Sequence, residues 1–175
     1  MNDEEHKSYL TEAYTRMIER ANTTIAKAGK QLETAVDEAR DMAHELGELS
    51  RDEADLLAEY VKRDLRDLGA YLDQTDQDLR GWFVIDKTLI EARLFDLIAS
   101  VADRTSLELA EFSRKQPRGT VWRAGEITGP GALTCLSCGQ TLHMHKAGHI
   151  PPCSKCHGST FQRKHRKSTS KPGAS

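Results

Sequence analysis

No cysteine stands before position 135, no proline before position 117, and aromatic residues make up only 6% of the 175 residues. The missing cysteine excludes disulfides and thiolate metal sites from the first two thirds of the chain. The missing proline leaves that stretch without an imposed helix break. No apolar run approaches the roughly 20 residues that a membrane-spanning helix needs. Apolar residues at 38% are few for a deep globular core. The opening MNDEEHKSYL lacks the basic and apolar regions of a secretory signal, so a cytoplasmic protein is expected.

Acidic residues are equally scarce in the second part. Residues 1–115 hold 16 Lys+Arg and 26 Asp+Glu, a net charge of −10, whereas residues 116–175 hold 9 and 1, a net charge of +8. All four cysteines, four of the five prolines and five of the seven histidines lie beyond residue 129. Two modules of different physics follow: an acidic helical, coiled-coil-like region over 1–116 and a small β module over 117–163, with a basic disordered tail over 164–175.

In the acidic region, Tyr14, Ala21, Ala28, Ala35, Met42 and Leu49 recur every seven residues, and Ile18, Ile25, Leu32, Ala39 and Leu46 recur with an offset of four. This 4-3-4-3 spacing is a coiled-coil seam. It predicts a helix of about 45 residues, roughly 65 Å long at 1.5 Å per residue, either folded back as a hairpin with a third helix or self-associating. Gly29 weakens its middle. Gly47 is a stop signal, and Ser50-Arg51-Asp52-Glu53 fits a capping box opening a second helix, with Leu57, Val61, Leu65, Leu68, Leu72 and Leu79 on one face. After the apolar run Trp82-Phe83-Val84-Ile85, a third helix turns Ile90, Leu94, Leu97, Ile98, Val101, Leu109 and Phe112 inward and ends before Pro117. Nothing in this half forms a catalytic constellation. The paired acids Asp52-Glu53 sit at cap positions, where the helix dipole favours them. His6 and His44 read as surface residues.

The chemistry lies in Cys135-Leu136-Ser137-Cys138-Gly139 and Cys153-Ser154-Lys155-Cys156-His157, a C-x2-C-x14-C-x2-C pattern. Two cysteines three apart on a tight turn can place both sulfurs about 2.3 Å from one ion, and Gly139 allows the positive φ of such a knuckle. Between the knuckles, residues 140–145 alternate as a strand, Ala147-Gly148 turns, and His149 to Pro152 runs extended. Residues 159–163 supply a closing strand and residues 120–123 another. This is a zinc ribbon, and its roughly 45 residues need the ion for stability.

Competing chemistries are less consistent with the chain. A disulfide pair belongs to exported proteins. The C-x-x-C-H haem pattern at Cys153 would strand Cys135 and Cys138. Rubredoxin-type iron uses the same four sulfurs and is not separated by spacing. A closed four-cysteine site has no open position for a catalytic water, so no enzyme is expected. Four thiolates already saturate zinc, which leaves His143, His145, His149 and His157 as solvent-facing or supporting groups. The basic run holding Arg163, Lys164, Arg166 and Lys167 can contact phosphates, as can Arg118 and Arg123. Only Trp122 and Phe161 offer stacking faces in this half.

The chain resembles a bacterial zinc-ribbon family of unknown function that pairs a long N-terminal helical region with a C-terminal four-cysteine ribbon. The resemblance rests on Tyr60-Val61-Lys62-Arg63-Asp64-Leu65, on Gly125 through Cys135, and on Ile150 through Cys156 with Phe161-Gln162-Arg163. It implies one structural zinc on Cys135, Cys138, Cys153 and Cys156, and no enzymatic activity. His157 departs from the glycine common at its place, and the tail beyond Arg163 looks like an extension.

The expectation is therefore an α plus small β protein: an elongated helical region followed by a zinc ribbon. Functionally it reads as a non-enzymatic adaptor or interaction module with a protein partner, and as a homo-oligomer if the seam is intermolecular. Two alternatives stand beside it. One is a nucleic-acid-binding, transcription-associated ribbon acting through Arg163, Lys164, Arg166 and Lys167. The other is a rubredoxin-like electron-transfer module.

Overall fold

The computed structural model describes residues 2–73, 79–83, 91–115 and 120–164. Helix α1 (Asp3–Ala28) opens on a capping box. The Asn2 side chain accepts from the Glu5 backbone N–H (2.8 Å), and the Glu5 carboxylate accepts from that of Asn2 (3.1 Å). The helix stops at Gly29, whose φ of 61° is unstrained only for glycine. Helix α2 (Leu32–Glu45) then runs back along α1, so that the Tyr9 hydroxyl donates to the Glu48 carbonyl (2.6 Å) and Arg20 forks onto the Glu48 carboxylate (2.7 Å for both bonds).

The single helix of about 45 residues expected from the seam is thus two antiparallel helices. The heptad positions meet each other within one chain: Tyr14, Ile18, Ala21, Ile25, Leu32, Ala35 and Ala39 are all buried in one core. Met42 and Leu46, at the far end of the seam, remain 44% and 62% exposed.

Helix α3 (Arg51–Leu72) begins with the predicted capping box, Ser50 Oγ taking the Glu53 N–H (3.1 Å) and Glu53 returning to the Ser50 N–H (3.0 Å). It ends at Leu72, and Leu79 belongs instead to a short helix α4 (Leu79–Phe83) that buries Trp82 and Phe83. The expected third helix is divided at Thr105 into α5 (Ala92–Arg104) and α6 (Ser106–Ser113). There the Thr105 hydroxyl donates back to the Val101 carbonyl (2.6 Å). Leu94, Ile98, Val101, Leu109 and Phe112 are inward as expected. Val84, Ile85, Ile90 and Pro117 lie outside the described residues.

Tertiary contacts complete these local signals. Gln31 gives α2 no side-chain cap, and the Glu108 carboxylate of α6 takes the Leu32 N–H instead (2.8 Å), a charge placed where the helix dipole favours it. Gly69 lets α6 lie directly on α3, since a Cβ there would sit 2.3 Å from the Leu109 carbonyl oxygen.

The remainder is antiparallel β structure: β1 (Trp122–Arg123), β2 (Ile127–Thr128), β3 (Gly131–Cys135), β4 (Thr141–Met144), β5 (Gly148–His149) and β6 (Thr160–Lys164). One sheet has the order β1-β6-β3-β4, and β2 pairs with β5. Trp122, Leu133, Cys135, Ile150, Cys153 and Phe161 form a small core of their own. Ile127 and Ala147 are buried in the helical core instead. No helix among the described residues is long and apolar enough to cross a membrane.

Candidate metal centre

The two knuckles are built alike. Cys135 closes β3, its N–H donates to the Gln140 carbonyl (2.8 Å), and its carbonyl accepts from the Gly139 N–H (2.9 Å). Cys153 donates to the Gly158 carbonyl (2.9 Å) and accepts from the His157 N–H (2.9 Å). Gly139 has φ 79° and His157 φ 60°, the latter being the one non-glycine with positive φ among the described residues. The histidine therefore adopts the backbone that a glycine would, and the second turn keeps the form of the first. The β3–β6 ladder joins the knuckles, with Cys135 opposite Phe161.

The four Sγ atoms lie within 4.8 Å of one another, with Cys135–Cys156 and Cys138–Cys153 both at 3.6 Å. A regular tetrahedron of sulfurs around zinc at about 2.3 Å has edges of about 3.8 Å, whereas a disulfide closes to about 2.05 Å. The cysteines are free, and their spacing matches a metal cage. Gly158 closes the floor: a Cβ there would lie 3.1 Å from Cys135 Sγ and 3.2 Å from Cys156 Sγ. Backbone N–H groups of Cys156 and Lys155 bring the Cys153 thiol down to about 6. At Cys135, burial raises the thiol, but the N–H groups of Cys138 and Ser137 more than offset it and the net shift is downward. Cys156 is pushed up to about 12: the Gly158 N–H favours its thiolate, but the neighbouring thiols and burial outweigh that bond. Without an ion the cage thus favours thiolates at some positions and retains a proton on Cys156. A divalent cation removes that conflict by neutralising the clustered charge.

Among the described residues these four cysteines are the one group able to hold a metal. His143, His145 and His157 are exposed and His149 half-buried, and none of them joins the cage.

The basic run does not behave as one unit. Arg163 was expected among the phosphate-binding cations, but only 6% of it is exposed. On β6 it alternates inward with Phe161. Its guanidinium donates to Thr128 Oγ1 (3.2 Å) and to the Pro130 carbonyl, stacks 3.8 Å from the centre of the Trp82 ring, and lies 3.7 Å from the Asp67 carboxylate. Gly131 makes room, since any Cβ there would collide with the guanidinium. Burial and these bonds correct the expectation for Arg163, which has no free face to offer a phosphate. Lys164 continues β6. Its side chain, and all of Arg118, Arg166 and Lys167, lie outside the described residues.

Beside Arg163 sits a buried group that the sequence reading missed. Asp64, 2% exposed, accepts from the Tyr14 hydroxyl (2.5 Å), Trp122 Nε1 (2.9 Å), Thr128 Oγ1 (3.0 Å), the Gly129 N–H (3.0 Å) and Arg63 Nε (3.2 Å). Arg63 in turn reaches the Glu126 carboxylate (2.9 Å) and the Ile127 carbonyl (3.0 Å). Burial alone would raise the Asp64 carboxyl. The charges of Arg63 and Arg163 and the bonds from Tyr14 and Trp122 prevail, and hold it below the usual carboxylate range. Tyr14 moves the opposite way, raised by burial and by the Asp64 charge. A signal existed in the sequence: Asp64 falls between Val61, Leu65 and Leu68 on the inward face of α3, where a charge needs a partner.

A helical body carrying a ribbon with four convergent thiols defines a zinc-ribbon protein. The chain belongs to the family described as zinc-ribbon containing domain, whose match spans residues 19–165. It is 26% identical over 156 residues to the uncharacterised protein YbeL of Escherichia coli K12, covering 89% of this chain and 96% of that one, and equally so to YbeL of E. coli O157:H7. No solved structure matches.

Proposed function

We propose that the chain is a non-enzymatic zinc-binding protein of the cytoplasm, an adaptor or interaction module that holds one structural zinc and presents the ribbon to a protein partner. One observation carries this reading: the four Sγ atoms lie within 4.8 Å of one another in a cage already closed by its own backbone. Four thiolates complete a tetrahedral shell, which leaves no position for a catalytic water. The ion would cross-link the two knuckles. Free thiols poised for a metal suit a reducing compartment. Of the seam itself, the internal hairpin leaves Met42 and Leu46 uncovered for self-association. The nucleic-acid alternative loses one of its four cations with the burial of Arg163. Metal analysis of the purified full-length chain tests the reading. One zinc per chain and a colourless protein are expected. Bound iron with a red colour would replace the reading with the electron-transfer one, and a metal-free folded chain would end it.

A further inference from the structure

The ribbon and the helices meet in a buried polar joint, and β3, which pairs with the β6 strand of that joint, runs from it to the metal cage. Trp122, Thr128 and the Gly129 N–H reach Asp64 from the ribbon side, and Arg163 bridges back to Asp67 and Trp82 on the helical side. Strand β3 begins at Gly131, next to the Pro130 carbonyl that receives Arg163, and ends at Cys135. That is four steps along the strand, or about 14 Å at 3.4 Å per residue. Strand β6 pairs Arg163 with Leu133 and Phe161 with Cys135. Strand β3 therefore leads from the joint to a cage thiol, and β6, paired along it, carries Arg163 at the joint end and Phe161 beside that thiol.

The energetics tie the ends together. A ribbon of this size has too small a core to hold its strands in register without the ion. If the register is lost, Arg163 leaves Asp67, and Asp64 loses the bonds from Trp122, Thr128 and the Gly129 N–H, which leaves charges in the joint without partners and is strongly unfavourable. Metal loading and docking on α3 thus favour the same arrangement of the same strands.

We propose that zinc binding at the cage and docking of the ribbon on the helical body are one coupled equilibrium, with Arg163 on β6 and Thr128 on β2 as positioning residues that set zinc affinity from the joint. The proposal rests on the zinc reading above. Coupling of this kind is reciprocal: zinc stabilises the helices, and the joint tightens zinc. Two modules joined by a passive linker would show neither effect.

The test uses the full-length protein. Zinc affinity is measured by competition with a chromophoric chelator for the parent chain, Arg163→Met and Thr128→Val, none of which alters a cysteine. Far-UV circular dichroism melts are recorded with and without zinc. We expect Arg163→Met to weaken zinc about tenfold, within the usual range of site-to-site coupling, and Thr128→Val to weaken it severalfold. Stripping zinc should lower the melting temperature of the helical signal in the parent chain, and by less in the variants. If Arg163→Met does not fold, the nearly isosteric Thr128→Val decides. Parental zinc affinity in the folded variants, or a helical melt indifferent to zinc, overturns the coupling while leaving the zinc reading intact. A parent chain that binds no zinc overturns the underlying reading before any variant is made.

Discussion

Asp64→Asn is the sharpest perturbation of the buried joint, because it keeps shape and removes only charge and one acceptor. Oδ2 of Asp64 takes three donors, from Tyr14, Thr128 and Gly129, and Oδ1 takes two, from Trp122 and Arg63. An amide cannot satisfy both sets. With its nitrogen at the Oδ1 place it faces the Trp122 and Arg63 N–H groups, and with its nitrogen at the Oδ2 place it faces the Gly129 N–H. Either way at least one buried donor is orphaned, at about 1–3 kcal/mol each. Arg63 and Arg163 also lose the charge between them, and removing one partner from a buried ion pair costs about 3–5 kcal/mol in all. That is a large share of the roughly 5–15 kcal/mol that stabilises a typical domain. Urea unfolding of the zinc-loaded chain, followed by circular dichroism and by the emission of Trp82 and Trp122, reads the loss. The sign with pH is set as well. The folded carboxyl titrates below its ordinary value of about 3.9, so its stabilisation is complete above that value and disappears as pH falls through the folded one. The variant should therefore show a flatter acid limb. A loss under about 1 kcal/mol would refute the view that this carboxylate is the charged centre of the joint.

Gly158→Ala should weaken zinc severalfold in chelator competition, because its Cβ would press on two ligand sulfurs at 3.1 and 3.2 Å. His157→Gly should raise stability against thermal unfolding by up to about 1 kcal/mol, since the left-handed backbone at φ 60° is strained for histidine and free for glycine. Zinc binding at pH 7 should release at least one proton, from Cys156 with its thiol near 12, and calorimetry in buffers of different ionisation enthalpy should show that release as a buffer-dependent heat. Gly69→Val should destabilise the helical body by several kcal/mol in thermal melts, because the Leu109 carbonyl occupies the space its side chain needs.

Features encoded over a few residues could be read directly from the chain. The C-x2-C pairs, the Ser50–Glu53 capping box and the strand alternation around β4 and β6 are local patterns whose geometry follows from spacing alone. The heptad seam was equally plain as a pattern, but its partner was not. Gly29 weakens a continuous helix by only about 1 kcal/mol, which a long seam can absorb, and it also permits a left-handed stop. Only the tertiary gain from burying the apolar faces of α1 and α2 in one core, Ile18, Ile25, Leu32 and Ala35 among them, selects the stop. The same holds for Thr105, where two helices replace one.

By itself, the sequence determined which four cysteines form the candidate metal cage and the division into acidic helices and a basic ribbon, because Cys-x2-Cys spacing and charge pattern are properties of neighbouring residues. The tertiary structure alone decided the fate of Arg163. In Arg163-Lys164-His165-Arg166-Lys167 it looks like any other cation of a solvated run. It is buried because Asp64, Asp67, Trp82 and Thr128, separated from it by 35 to 99 positions, converge on one place. Burial of a charge depends on partners that no window of sequence contains, and it becomes favourable only once the fold has brought them together.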